Sequence, residues 1–480
     1  MAVKSLREFI GLLEKYDMLV DIKDEVDWDL EASAIIRRAG ELRGPGVLME
    51  KIRDYPSWRY FGNGLGSWKG MALALGLPPD ASPEEIEKRY LQGLEKPIKP
   101  KLLNEAPCQE NVIMGDDVNL FHLPAPMVHD GDGGRYLLTG GFRITKDLDS
   151  EWVNWGMYRN MVHDERHLGG LVMPNSDMGI MYQKYIKKGQ NMPVAIALSI
   201  DPVSFITSMA PVGVGVDEAD VIGGMMGEPI EVVKAKTIDL PVPAHAEVIL
   251  EGEVLPPEFA VDEGPFGEFT GYRVAPRMPR TVIKINCITY RNNPIIWIAN
   301  MGTPMYDGCI SIGWQASIRK RLLEAGIPVT AVNLAPECGA TLMAIVATEV
   351  PYHGIANRIG DIIFGSPSLC TYINYVVVVE PDVDVYDYSQ VLYAMSAQCH
   401  PGRSINIKKN EPTNPLNPYL SNYERRWMIG TKAVIDCTTP VYWSKQTEAP
   451  PKVGFKLIYP KEIQEKVVAN WEKWGFKTRY

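Results

Sequence analysis

Apolar positions Leu6, Phe9, Ile10 and Leu13 recur at helical spacing behind Ser5, and Ser5 with Glu8 reads as a capping box, so the chain is predicted to open with an amphipathic helix. "PGVLMEKI" reads as a buried strand. "DASPEEIEKRYLQGL" predicts a second helix, with Ser82 as cap, Pro83 at its first position and Glu85 closing a capping box. From about residue 110 the period shortens. "YLLTGGFRITKD", "PVAIALSID", "AEVILEGEVL", "TVIKINCITYR" and "PIIWIAN" are short β-rich runs divided by Gly, Pro and Asp, the texture of a barrel or sandwich. "APVGVGVDEADVIGGMMG" is too glycine-rich for a regular element and reads as an ordered loop packed against something.

After residue 310 helices and strands alternate. "ISIGWQASIRKRLLEAG" predicts a helix stopped by Gly326, "IPVTAVNLA" a strand, "GIANRIGDIIFG" a helix, and "YINYVVVVEPDVDVYD" a strand buried on both faces. The terminal "KEIQEKVVANWEKWGF" sets Ile463, Val467, Trp471 and Trp474 on one helical face ahead of Gly475, a face suited to a neighbouring domain or subunit. The expected fold class is therefore α/β and multidomain, with units at residues 1–112, 113–305 and 306–480.

Composition narrows the function classes. A chain of 480 residues with 46% hydrophobic and 22% charged residues has material for more than one core. Its net charge of -10 argues against a nucleic-acid partner and against anionic membrane surfaces. Seven scattered cysteines without a C-x-x-C pair fit reduced thiols and give no zinc signature. The first residues carry Glu8 and Glu14 inside their apolar pattern and read as a mature helix, and no stretch has the apolar length of a membrane span. A cytoplasmic location is the expectation.

Candidate chemistry concentrates in two stretches. "EGPFGE" places Glu263 and Glu268 around a turn that Gly264, Pro265 and Gly267 keep out of any helix. Two solvated acids on a surface turn, or an acid/base pair on a stiff loop, both fit that pattern. In "WVNWGMYRNMVHDERHLGGLVMPNSD", Arg159 lies among Trp155, Met157, Tyr158 and Met161, and a half-buried guanidinium needs an acidic or phosphate partner. "HDERH" reads as an exposed charged hairpin rather than a metal site. Glu218, beside Asp217 and Asp220, is a candidate ligand for a hard cation.

"GDGGRYLLTGG", "NWGMYRNMV", "GEPIEVVKAKTIDLPVPAHAEVILEGEV", "EGPFGEFTGY", "RNNPI" and "VVVVEPDVDVYD" together resemble the UbiD family of decarboxylases, which use prenylated FMN. The likeness runs over residues 5–445 or so. It implies an N-terminal α/β domain, a central split β-barrel that holds the flavin, and a C-terminal α/β domain with a terminal helix. It also implies roles: Glu268 as proton donor, Arg159 as anchor for the substrate carboxylate, and Glu263 as the group that orients Arg159. Flavin contacts fall on Asn154, Met157, Tyr158, Arg159, Leu171, Val172, Met173, Ser176, Asp177 and Glu218. Ser208 and Met209 would offer carbonyls to a monovalent cation such as K+.

The family's divalent ion, usually manganese, takes an asparagine, a histidine and a glutamate. Here Asn154 and Glu218 match, but Ser176 stands at the histidine position, so Asp177 is the candidate third ligand. The implied substrate is an aromatic, heteroaromatic or α,β-unsaturated carboxylic acid, or an aroyl-CoA. A flavin prenyltransferase would supply the cofactor, and a homodimer or higher homo-oligomer is expected. The alternative is a non-catalytic flavin-binding subunit of a larger carboxylase assembly.

Overall fold

The computed structural model describes residues 2–137, 140–299, 301–302, 310–367, 369–443 and 449–477. The opening helix spans Leu6–Lys15 and buries Leu6, Phe9, Ile10 and Leu13. Ser5 Oγ accepts the Glu8 N–H at 3.2 Å, but the Glu8 carboxylate accepts the Lys4 N–H at 2.9 Å instead of closing the box on Ser5. The helix Pro83–Glu95 has both arms of its box, Glu85 N–H to Ser82 Oγ at 3.3 Å and Ser82 N–H to Glu85 Oε2 at 2.8 Å.

The first sheet orders Leu19–Val26, Gly46–Ile52, Arg59–Gly62 and Ile295–Ile298. Its last strand comes from "PIIWIAN", which the sequence reading had grouped with the central runs. It pairs in parallel with Arg59–Gly62. Burial drives this excursion: Trp297 is fully covered, stacked on Phe205 at 4.6 Å and edge-on to Phe61 at 5.4 Å.

Nine antiparallel strands form the central sheet, on the path Val153–Gly156, Gly141–Lys146, Met192–Leu198, Val248–Val254, Met278–Tyr290, His167–Gly170 and Met161–Val162. Val261–Glu263 and Asn111–Met114 both pair with the long strand Met278–Tyr290. Side chains of Met192–Leu198 alternate between two apolar cores, Ala195 and Ala197 on one side and Val194, Ile196 and Leu198 on the other. The sheet is thus covered on both faces, and its ends deliver the polar groups described below.

A five-stranded sheet orders Val329–Asn333, Met343–Thr348, Tyr375–Val379, Ile429–Cys437 and Ile405–Pro412, its middle three strands parallel. Val376 to Val379 are fully buried, as a strand covered on both faces requires. Of the helices packed on this sheet, Ile310–Glu324 ends before Gly326, whose φ is +77°.

The stretch 210–227 departs from expectation, because Glu218–Met226 is an α-helix. Its glycines are packing residues: a Cβ on Gly223 would stand 2.4 Å from the Ile98 carbonyl oxygen, and one on Gly224 2.5 Å from that of Lys96. The terminal helix Lys461–Asn470 is shorter than the predicted face: Ile463 is 40% exposed on it, while Trp471 and Trp474 fall beyond its last residue, Trp474 being 54% exposed. The "MGTPMYDG" loop lies outside the described residues from position 303. Among the described residues no helix is long and apolar enough to cross a membrane.

Candidate active site

The strand Val153–Gly156 runs into an irregular segment that carries Arg159, and the short strand Val261–Glu263 ends on Glu263 as the chain enters the turn. The structure brings Arg159, Glu263 and Glu268 together, at 9%, 1% and 5% exposure. Arg159 Nε donates to Glu263 Oε1 at 2.7 Å and Nη2 to Glu263 Oε2 at 2.9 Å, a bidentate pair. Its remaining nitrogen, Nη1, donates to Glu268 Oε1. One guanidinium therefore spans two carboxyl groups from opposite ends of a six-residue turn.

The two acids are not equivalent. Burial pushes Glu268 up, and the charge of Glu263 adds to that push, so Glu268 lies above the ordinary carboxylate range despite Arg159. Burial also opposes ionisation of Glu263, but the hydrogen bonds and charge of Arg159, with Tyr136 and Arg280, outweigh it and leave Glu263 below its ordinary value. The shared cation thus sits between two unequal carboxyls, Glu263 shifted toward ionisation and Glu268 toward keeping its proton.

Several supports were not singled out in the sequence. Tyr136 Oη donates to Glu263 Oε1 at 2.9 Å, and Arg280 Nε stands 4.0 Å from Glu263 Oε2. Phe266, from the turn itself, lies under the guanidinium at 5.4 Å. Arg143 is buried in the sheet, where its Nη2 donates to the Arg159 carbonyl at 2.9 Å and to Asn160 Oδ1 at 2.7 Å. The legible signal for Arg143 was a charge inside the apolar run "GGFRITKD". Tyr136 and Asp132, which accepts the Gly267 N–H at 2.9 Å, carried no local signal.

On the neighbouring side, Asn154 Nδ2 donates to Glu218 Oε1 at 3.0 Å, and the Trp155 N–H donates to Glu218 Oε2 at 2.8 Å. Glu218 is the first residue of its helix rather than a loop acid. Burial, with the nearby charge of Asp177 contributing, pushes it up to about 8. Asn154 Oδ1 is buried without a hydrogen-bond partner. An orphaned amide oxygen beside a buried carboxylic acid is a donor set that fits a hard cation. Asp177 opens the helix Asp177–Lys188 behind Ser176 and is half-buried. Among the described residues no group of three or more His, Cys, Asp or Glu could hold a metal, so any such ion relies on the Asn154 amide.

Met157, Tyr158, Leu171, Val172 and Met173 are half-buried, next to the buried Arg159 and Gly170. The two segments meet because Gly170 has no side chain: a Cβ there would sit 2.3 Å from the Arg159 carbonyl oxygen. The Ser208 carbonyl accepts the Met157 N–H at 3.2 Å, and the Met209 carbonyl accepts the Trp314 Nε1–H at 2.8 Å. "HDERH" lies on the hairpin between Met161–Val162 and His167–Gly170, where His167 Nδ1 stands 2.9 Å from Asp164.

Models of the N-terminal, Rift-related and C-terminal domains of 3-octaprenyl-4-hydroxybenzoate carboxy-lyase match residues 10–90, 101–304 and 310–437. Pyrrole-2-carboxylic acid decarboxylase of Pseudomonas aeruginosa is 32% identical, with 98% of each chain covered. The structure of vanillic acid decarboxylase from Sedimentibacter hydroxybenzoicus in its closed form superposes with a TM-score of 0.86 at 31% identity, covering 98% of this chain and 100% of that one. An evolved dimeric form of HmfF from Pelotomaculum thermopropionicum in complex with prenylated FMN gives 0.81 at 26% identity, covering 98% and 100%.

Proposed function

The chain belongs to the UbiD family of carboxy-lyases, and from that premise we propose that it decarboxylates, reversibly, an aromatic or heteroaromatic carboxylic acid with prenylated FMN bound beside Arg159. The observation that carries the reading is one buried guanidinium shared between Glu263 and Glu268, whose proton affinities are shifted in opposite directions. The acids named for the relatives, pyrrole-2-carboxylic and vanillic, support an aryl or heteroaryl substrate. They also disfavour a non-catalytic subunit.

When bound, the prenylated flavin supplies the electron sink for the charge left by departing carbon dioxide, which no side chain provides. The protein's work is placement and proton delivery. Arg159 binds the substrate carboxylate, with Glu263 and Tyr136 fixing its orientation from behind. Glu268 then gives its proton to the carbon that carried the carboxylate, general acid catalysis worth about 10²–10⁴ in rate. In the carboxylating direction the same carboxylate accepts that proton. Arg159 alone would pull Glu268 down, and the negative Glu263 offsets that pull.

Met157, Tyr158, Leu171, Val172, Met173, Ser176 and Asp177 would hold the flavin. Asn154, Glu218 and Asp177 would hold a divalent cation such as Mn2+, and the carbonyls of Ser208 and Met209 would hold K+. The reading fits a cytoplasmic homodimer whose terminal helix packs on its partner, and light scattering tests the assembly.

Co-expression with a flavin prenyltransferase should yield a protein with modified-flavin absorbance. A screen of aryl and heteroaryl acids then identifies the substrate. Flavin binding without turnover of any such acid would overturn the assignment.

A further inference from the structure

The turn that carries Glu268 contains few side chains able to hold it, so the groups that fix it come from elsewhere. Gly267 N–H donates to Asp132 Oδ1 at 2.9 Å, and Gly133 N–H donates to the Pro265 carbonyl at 2.7 Å. Nothing larger than glycine fits at either contact. A Cβ on Gly133 would stand 2.0 Å from the Gly264 carbonyl oxygen, and one on Gly267 2.4 Å from His129 Nδ1. Backbone is thus laid directly on backbone where Gly133 meets Gly264 and Pro265, and the His129 ring closes on Gly267.

The Asp132 side chain is fully buried. Its second oxygen accepts the His129 backbone N–H at 3.1 Å and faces His129 Nδ1 at 3.0 Å. The other ring nitrogen, Nε2, faces the Met301 carbonyl at 3.1 Å. Both neighbours of the ring are acceptors, so the ring satisfies both only as an imidazolium that donates from each nitrogen. Arg273 Nε stands 3.8 Å from Asp132 Oδ1, which places one buried carboxylate between two cations. Apolar residues would plug this space at lower cost than a buried ionic cluster. What the cluster adds is a directional acceptor for one backbone N–H, that of the residue before Glu268.

Resting on the reading of Glu268 as proton donor, we propose that Asp132, held by His129, is a positioning residue that sets the reach of Glu268 to the reacting carbon. Neither side chain touches the reacting carboxyl groups; both act through the Gly267 backbone. The pair also ties the turn to residues 301–302, where the chain leaves the strand Ile295–Ile298. A misplacement of about 1 Å in a reacting group costs up to about 10²-fold in rate.

The test uses holoenzyme reconstituted with prenylated FMN and an aryl acid that the wild type decarboxylates. Kinetic constants, flavin absorbance and melting temperature are measured for Asp132→Ala, Asp132→Asn and His129→Gln. Asp132→Ala should lose about ten- to a hundredfold in kcat, with KM and flavin loading within about twofold of wild type. Asp132→Asn, which keeps an oxygen for the Gly267 N–H, should recover most of that loss. A kcat within about twofold of wild type for Asp132→Ala overturns the proposal, as does a parallel fall in flavin loading and melting temperature that Asn fails to rescue. If Asp132→Ala does not fold, His129→Gln decides: kcat lowered severalfold at unchanged KM supports the proposal, and unchanged kcat overturns it. Glu268→Gln is measured alongside. Retained turnover there overturns the proton-donor reading itself, whatever Asp132 does.

Discussion

Replacing Glu263 with Gln keeps the shape of the site and removes one charge, and the structure fixes the direction of the result. Glu263 and Glu268 bond different nitrogens of one guanidinium, which sets their charges about 5–6 Å apart and, at an effective dielectric near 20, gives a repulsion of about 3 kcal/mol. That is about two pKa units on the more perturbed partner. Glu263→Gln deletes this repulsion and frees the Arg159 charge that Glu263 had neutralised, so both changes pull Glu268 down. The burial contribution to Glu268 is untouched.

Glu268 acts as an acid and is active while protonated, so the rate falls as pH rises through its pKa. The alkaline limb of kcat/KM, which reports the free enzyme, should therefore move about one to two units toward acid in the variant. Holoenzyme titrated with a substrate whose own ionisation lies outside the range provides the assay. A limb that stays put, or moves toward base, refutes the charge-balance argument.

Arg159→Ala should abolish turnover and cost about 3–5 kcal/mol in stability, because it strands two buried acids; melting curves and a decarboxylation assay check both, and Arg159→Lys should not restore the bidentate contact. Glu218 must lose a proton before it ligates a cation, so calorimetry in buffers of different ionisation enthalpy should show proton release on Mn2+ binding at about pH 6 and almost none above its value of about 8. The sign reverses for the metal-free protein: the raised carboxyl favours the folded state most below pH 4.5, and that contribution is lost as pH approaches 8. Asp177→Ala should weaken divalent metal retention, and unchanged metal content by elemental analysis would remove Asp177 from the ligand set. Gly223→Ala should lower the melting temperature although alanine favours helices by about 1 kcal/mol, because the added methyl meets the Ile98 carbonyl; a raised melting temperature would contradict that packing.

Where local chemistry decided an element, the chain announced it. The boxed cap at Ser82 and Glu85 and the valine run 376–379 formed as read. Packing between distant segments was not announced. Glycines 223 and 224 looked like loop residues because the surfaces they fit against, near 93–98, are invisible in a local window. The strand Ile295–Ile298 has the pattern of its neighbours, and only the position of Arg59–Gly62 decides which sheet it joins.

The site divides in the same way. Arg159 among aromatic residues signalled a buried cation in need of a partner, but its acids lie 104 and 109 residues further on. No periodicity connects them, and resemblance to a family supplied the link. Tyr136 and Asp132 stayed hidden because each acts through a contact that only the folded chain creates.

The most direct measurement is turnover of the identified aryl acid by Glu268→Gln holoenzyme, loaded with prenylated FMN to the wild-type level. The account predicts no accumulation of decarboxylated product, because the neutral amide occupies the place of the acid without a proton to give. Product forming at a rate comparable to wild type would contradict it.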